Sequence, residues 1–329
     1  MHDYHRLSQW GVNLAARLDM VDEASRILRG EANVELSGVS EEIEHDGDIR
    51  ISTVRILRED AAQRLGKKMG RYITIDIPPV VEQTDIDNIS EIVAEKLALL
   101  LPKLEDDSCV LLFGLGNNYA TPDALGPQVV EKTFATRHIF SYELEQMRGT
   151  LRPLAALAPG VLGITGIETA EMIRGVSSHV NPTAMIVVDS LAAASLGRVG
   201  TTIQLTDSGI SPGAGIGNKR QGIDCDSMGM PVIAIGVPTV VNSVVIIYEA
   251  LTQMLENVRE QGFTALPALD QSLLERVSAK VLSTFDGNLI VTPKDIDQLL
   301  SDAAEIIAGA IAQAVHPGVT KENYQDYLR

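Results

Sequence analysis

A short apolar run followed at once by a glycine-rich turn constrains this chain more than any other feature. The run is Cys109–Phe113, and the turn after it, 114–118, reads GLGNN. An unbroken apolar run of this length is typical of a strand buried on both faces of a parallel sheet. Thr121-Pro122 and Gly126-Pro127 then supply signals for the start of a helix. Asp123 is therefore predicted to lie between the carboxyl end of a core strand and the next helix, where open α/β sheets bind ligands.

A second stretch repeats this arrangement. Met185–Val188 is another apolar run, and Asp189 is expected to end that strand before a helix over 190–194. Two strands would thus bring Asp123 and Asp189 to one edge of the sheet, and we interpret the pair as the catalytic centre of a peptidase. If the carboxylates share a proton, the ionised one activates water and the protonated one polarises the scissile carbonyl. The alternative is that each aspartate only caps a helix, which is a common role at this position.

The rest of the chain repeats strand, glycine turn and helix. A more alternating strand is expected at 201–205 and a buried strand at 231–236. A long helix is expected at 240–258, and another starts after Thr292-Pro293 and runs to about residue 315. The fold class is predicted as α/β, with a doubly wound, mostly parallel sheet flanked by helices. Alternating apolar and polar residues between 45 and 80 predict an additional small antiparallel strand element at the sheet edge.

Charge and termini limit the classes of function. The 329 residues carry 27 Lys and Arg against 44 Asp and Glu, a net charge of −17 that opposes binding to phosphate backbones. We therefore expect no direct nucleic-acid partner. The N-terminal residues lack the basic start and apolar core of a signal peptide, and the chain has no run near the roughly 20 apolar residues of a membrane span. Together with only two cysteines, this predicts a protein of a reducing intracellular compartment with no membrane partner.

A glycine-rich loop at 209–218 is the other functional candidate, because such density after a strand is unusual for a simple connection. We expect Gly213 and Gly215 to lie over a substrate backbone. Lys219 and Arg220, which follow, would hold an acidic substrate side chain, although a solvated pair of surface charges is an equal alternative.

Cofactor, metal and nucleophile signals are weak. The dinucleotide motif GxGxxG fails at its third glycine, where Tyr119 stands, and no phosphate-binding loop or GxSxG elbow occurs. His138 and His179 are conceivable metal ligands, but single histidines in such domains are more often structural or exposed. We therefore assign no cofactor and no metal.

Several longer motifs carry a resemblance to a known family. GLGNNYATPDALGP, LAPGVLGITGIETAEMIRGV, VNPTAMIVVDSLAA, TTIQLTDSGISPGAGIGNKR and PVIAIGVPTVV resemble the germination protease of spore-forming bacteria. The resemblance implies an atypical aspartic endopeptidase that degrades small acid-soluble spore proteins in the cytoplasm of the spore core, with Asp123 and Asp189 as its catalytic pair. It also implies a homotetramer made as a zymogen.

The same resemblance implies where the zymogen is cut. Leu18-Asp19-Met20-Val21-Asp22-Glu23 is similar to a self-cleavage site of the family, with the cut between Asp19 and Met20. Residues 1–19 would then be a propeptide and 20–329 a single α/β peptidase domain. Within that domain, 45–80 would form edge strands or a small subdomain, and 259–287 a variable segment.

A more distant resemblance links GLGNNYATPDALGPQVVE to nickel-hydrogenase maturation endopeptidases. Two alternatives to the aspartic endopeptidase stay open. One is a metal-dependent maturation-type endopeptidase that uses the same two carboxylates. The other is a non-catalytic α/β protein that binds a ligand.

Overall fold

The computed structural model describes residues 19–29, 36–140, 147, 149–211, 221–262, 271–285 and 289–327. Within these ranges the strands are β1 Val39–Asp46, β2 Ile49–Ile56, β3 Gly70–Asp76, β4 Val110–Gly114, β5 Leu154–Leu157, β6 Ala184–Ala193, β7 Thr202–Thr206, β8 Val232–Asn242 and β9 Ile290–Val291. The helices are α1 Val21–Arg29, α2 Glu59–Leu65, α3 Gln83–Ala98, α4 Leu125–Lys132, α5 Arg137–Phe140, α6 Leu162–Thr165, α7 Thr169–Val180, α8 Cys225–Met228, α9 Ser243–Glu260, α10 Gln271–Val281, α11 Ile296–Val315 and α12 Tyr324–Tyr327. Short 3₁₀ turns occur at Thr121–Asp123, Leu196–Arg198 and Ser283–Phe285.

All of these strands belong to one sheet. Its order is β1-β2-β3-β7-β8-β6-β4-β5, and β9 pairs with β8 outside this path. The strands β8, β6, β4 and β5 run parallel to one another, whereas β1, β2, β3 and β7 are antiparallel to their neighbours. The predicted α/β class is confirmed. The antiparallel strands predicted near 45–80 continue the same sheet, because β3 pairs with β7.

The parallel half is buried on both faces. In β4, Val110 and Leu112 belong to the apolar core that contains α3, α4 and α11, while Leu111 and Phe113 belong to the core under α7. Because successive side chains of a strand point to opposite faces, a strand covered by helices on both sides needs apolar residues at every position. The structure thus confirms the two-sided burial predicted from the apolar run in the sequence.

The antiparallel half has its own cover. The helices α1 and α2 pack Val21, Ala24 and Leu65 against Val54 of β2 and Tyr72 of β3. This packing places the start of α1 beside the carboxyl ends of the parallel strands. Among the described helices, none is both long enough and apolar enough to span a membrane.

Three glycines allow the turn after β4 to fold tightly against α4. A Cβ at Gly126 would lie 2.2 Å from the carbonyl oxygen of Leu115, and one at Gly114 would lie 2.0 Å from the carbonyl oxygen of Gly126. Gly116 has φ +113°, a backbone conformation that residues with a Cβ rarely adopt. The GLG sequence is therefore needed for close packing between the strand turn and the helix.

The strands β6 and β8 extend beyond their predicted ends, so the prediction of a helix over 190–194 was wrong. Pairing between β6 and β8 continues through Asp189↔Gly236 to Ala193↔Val241, with a bulge between Leu191 and Ala192. The helix expected from residue 240 begins at Ser243 for the same reason. Strand pairing here outweighs the high helix propensity of the alanine-rich segment.

We expect Gly126→Ala to lower the free energy of unfolding by about 2–3 kcal/mol, because the added methyl group meets rigid backbone rather than a movable side chain. Denaturation in urea, followed by circular dichroism, measures this change. Gly175→Ala is the matched control: a Cβ there meets nothing within 4 Å, so the same substitution in α7 should raise stability by up to about 1 kcal/mol. Equal effects at the two positions would contradict the close contact between the turn and α4.

Candidate active site

A cavity of about 740 Å³ opens at the carboxyl ends of β4, β6 and β8. Asp123 and Asp189, the two carboxylates predicted to meet, both line it. The opposite wall contains Asp19 at the start of α1, Lys67 after the end of α2, and Gln204 of β7. The cavity therefore lies between the parallel half of the sheet and the elements that cover the antiparallel half.

Asp123 is held by the backbone of its own turn. It closes the 3₁₀ turn after β4, where its N–H donates to Ala120 O at 2.7 Å and its carbonyl oxygen accepts from Asn117 N at 2.9 Å. Thr239 Oγ1 of β8 donates to the carbonyl oxygen of Pro122 at 2.6 Å. Because the turn is hydrogen-bonded both within itself and to β8, the backbone of the half-buried Asp123 is held at the cavity wall.

Asp189 lies inside a strand rather than at its end. The residue is 6% exposed and pairs with Gly236 across the β6–β8 ladder. Ser190 N donates to its Oδ1 at 2.9 Å. Neither aspartate occupies the N-cap position of a helix. No helix follows Asp189 directly, since β6 runs on to Ala193, and the N-cap of α4 is Ala124, without a side-chain cap.

One side of β6 is left free of strand partners beyond the end of β4. The last β4–β6 pair is Gly114↔Val188, and Val188 O accepts from Leu115 N at 2.8 Å. Backbone groups of alternate residues point to the same side of a strand, so the N–H groups of residues 190, 192 and 194 follow on this side. Among the described residues, their acceptors are carboxylates: Asp189, Asp19 and Glu23, each at 2.9 Å.

Gln204 holds the main chain around the Asp19–Met20 bond. Its side-chain amide donates from Nε2 to Asp19 O at 3.4 Å, and its Oε1 accepts from Val21 N at 2.8 Å. Met20 and Val21 are fully buried. The bond predicted as the self-cleavage site thus lies next to the cavity that Asp123 and Asp189 line.

The other predicted site residues do not join this cluster. Gly213, Gly215, Lys219 and Arg220 fall outside the residues that the structure describes. His138 and His179 are exposed on α5 and α7 and do not line the cavity. Across the described ranges, no group of three or more His, Cys, Asp or Glu side chains is arranged to hold a metal ion.

Sequence reasoning missed Lys67, Lys68 and Gln204, which all line the cavity. The two lysines follow a helix that ends in the left-handed Gly66, a pattern common at helix ends and unrelated to function. Gln204 is a polar residue within a buried strand, with 6% of its side chain exposed. A buried amide in a core strand needs hydrogen-bond partners, and this was the one available signal.

Comparison with known proteins decides the family. The family model described as germination protease matches residues 15–262 and 256–328. This chain belongs to the germination protease family. The resemblance stated from the sequence is confirmed, and the chain is a member of a peptidase family.

Relatives of this germination protease family member match it over nearly their whole length. The germination protease of Clostridium tetani is 39% identical over 96% of this chain and 100% of its own, and that of Caldanaerobacter subterraneus is 41% identical over 96% and 98%. The Priestia megaterium germination protease is 35% identical over 98% of both chains. A solved nickel–iron hydrogenase maturation protease from Thermococcus kodakarensis shows 16% identity and a TM-score of 0.34, covering 67% of this chain and 98% of its own.

In this family member, a buried ion cluster holds α1 beside the cavity. Arg198 Nη1 lies 2.8 Å from Asp22 Oδ2, and its Nη2 lies 2.6 Å from Asp76 Oδ1 in β3. Glu23 Oε1 is a weaker partner at 3.5 Å. Burial raises the pKa of Glu23 to about 7, and Arg198 and the Ala194 amide only partly oppose this rise. Docking of α1 therefore depends in part on a buried glutamate whose charge changes near pH 7.

We expect Glu23 to make stability fall as pH rises. Its folded-state pKa lies above the ordinary value of 4.5, so its contribution is present below about pH 4.5 and is lost as pH rises through about 7. Glu23→Gln cannot ionise. The free energy of unfolding of this variant minus that of the unsubstituted chain should therefore be about 2–3 kcal/mol larger at pH 8 than at pH 4.5.

Urea denaturation at the two pH values measures this difference. Glu171→Gln, which changes an exposed glutamate of α7, is the matched control and should show no such gain. A Glu23→Gln difference that stays constant with pH would mean that Glu23 ionises in the folded chain as it does in the unfolded one.

Proposed function

We propose that this protein is an aspartic-type endopeptidase that starts the degradation of small acid-soluble spore proteins on germination. One observation carries the proposal: Asp123 and Asp189, chosen from the sequence, line one cavity together with Asp19 of the predicted self-cleavage site. Membership of the germination protease family supports the peptidase activity.

The proposed mechanism uses water and no covalent intermediate. One carboxylate of the pair, in its ionised form, takes a proton from water as the oxygen attacks the scissile carbonyl carbon. The other, in its protonated form, donates to the carbonyl oxygen. When the C–N bond of the tetrahedral intermediate breaks, the protonated carboxyl of the pair gives its proton to the leaving amine. One hydroxyl of the gem-diol gives its proton to the other carboxylate as the new carboxylic acid forms, so the pair again holds one shared proton.

Gln204 is a positioning residue in this scheme. Its hydrogen bonds to Asp19 O and Val21 N are made on the two sides of the Asp19–Met20 bond. Because the chain is bound on both sides of the Asp19–Met20 bond, the scissile carbonyl is held in one orientation toward the attacking water. This orientation lowers the entropic part of the activation free energy of hydrolysis.

The wider assignments rest on the family resemblance. We propose that residues 1–19 are a propeptide removed by self-cleavage and that 20–329 form the mature peptidase domain. By the same resemblance, the protein acts in the spore core as a homotetramer, with small acid-soluble spore proteins as its substrates.

Asp123→Asn and Asp189→Asn should each lower the rate of cleavage by about 10²–10⁴-fold, because neither variant can share a proton in the pair. The assay uses the full chain, reads self-cleavage by mass spectrometry and cleavage of a purified small acid-soluble spore protein by gel electrophoresis, and runs with and without EDTA. Asp106→Asn is the matched control: this exposed residue precedes β4 at the opposite end of the strand and should leave both rates unchanged.

Two outcomes would contradict the aspartate pair. Loss of activity in EDTA and its return on adding a divalent metal would make the same carboxylates metal ligands, as in the maturation-type alternative. Cleavage that survives both substitutions, with circular dichroism unchanged, would place the catalytic centre elsewhere.

A further inference from the structure

Lys67 reaches the cavity because of how α2 ends. Gly66 adopts the left-handed conformation with φ 64° and ψ 27°, and Lys67 N donates back to Ala62 O at 3.0 Å. This ending stops the helix and turns the chain, so that the next two residues line the cavity. Their position depends on the backbone and not on a flexible loop.

The two lysines at this corner have different carboxylate partners. Lys68 Nζ donates to Asp224 Oδ2, and the other oxygen of the same carboxylate, Oδ1, caps α8 by accepting from Ser227 N at 2.9 Å. Lys67 and Asp19 both line the cavity. Burial lowers the pKa of Lys67, and the nearby Asp19 carboxylate acts in the opposite direction. Lys67 is thus the cavity cation next to the residue that precedes the predicted cleaved bond.

The side chain and the main chain of Asp19 are bound by separate groups. Ala192 N donates to Asp19 Oδ2 at 2.9 Å, whereas Gln204 binds the carbonyl oxygen of the same residue. Separate binding of the carboxylate and of the scissile carbonyl is what a protease subsite requires, because it sets the register of the chain and reads one side chain at the same time.

We propose that Lys67 and the Ala192 amide form the subsite that binds an acidic side chain immediately before the cleaved bond. The proposal rests on the proposed function. The prediction that Lys219 and Arg220 bind an acidic side chain stays untested, because both residues lie outside the described ranges. A neutral amide side chain in this subsite would lose the charge-assisted hydrogen bond. It would also leave the half-buried Lys67 ammonium without a negative partner, so we expect strong preference for a carboxylate over an amide.

The test compares two peptides and four proteins. The peptides are LAARLDMVDEAS, which is residues 14–25 of this chain, and the same peptide with asparagine at the position of Asp19. The full-length chain, after completing its own cleavage, should prefer the aspartate peptide by about 10–100-fold in kcat/KM. This ratio does not depend on the fraction of active enzyme, and a purely structural role of Lys67 would not change it.

Lys67→Gln should bring the ratio close to 1, with the loss confined to the aspartate peptide, and Lys67→Arg should keep a clear preference for aspartate. Lys103→Gln is the matched control, since Lys103 is an exposed lysine that pairs with Glu105 away from the cavity. It should keep both the ratio and the rates of the unsubstituted chain.

Several outcomes would contradict the proposed subsite. If Lys67→Gln still prefers the aspartate peptide, other groups such as Lys219 and Arg220 recognise the acidic side chain. If Lys67→Gln loses kcat/KM equally on both peptides, the role of Lys67 is structural. If Lys67→Gln does not fold, self-cleavage decides: Asp19→Asn should slow it by about 10–100-fold and Asp19→Glu only slightly, and equal rates would refute the proposal. Absence of any cleavage by the unsubstituted chain would instead refute the proposed function, and the subsite with it.

Discussion

The site depends on the fact that β6 continues where β4 stops. The last β4–β6 pair is Gly114↔Val188, yet β6 stays paired to β8 as far as Ala193↔Val241. An exposed strand edge presents backbone donors that need acceptors. Here the start of α1 supplies them through its side chains, with Asp19 on Ala192 N and Glu23 on Ala194 N. The part of β6 that extends beyond β4 therefore binds the predicted cleavage site next to the cavity.

Close packing at the other side of the cavity supports the same geometry. The turn after β4 approaches α4 so tightly that a Cβ at Gly126 would lie 2.2 Å from Leu115 O. This contact orients the 3₁₀ turn that ends in Asp123, and Thr239 of β8 binds the same turn through Pro122 O. The backbone segments that carry Asp123 and Asp189 are thus both bound to β8.

Basic side chains at the site lie among a larger number of carboxylates, in keeping with the net charge of −17. Lys67 lines the cavity together with Asp19, Asp123 and Asp189, and Arg198 lies among Asp22, Glu23 and Asp76. Burying a cluster of charges is costly unless each is paired, and the raised pKa of Glu23 shows that Arg198 does not fully offset the burial of a third carboxylate. Docking of α1 is accordingly expected to weaken as pH rises through about 7.

By itself, the sequence determined the α/β class, the doubly buried β4, and the choice of Asp123 and Asp189, because apolar runs and glycine turns report local burial and backbone conformation. It misjudged the end of β6, since an alanine-rich segment gives no local sign that strand pairing with β8 will continue. Only the tertiary structure decided that Gln204, Lys67 and the Ala192 amide surround Asp19. These groups come from different parts of the chain, and no pattern along one segment records which of them the folded sheet brings together.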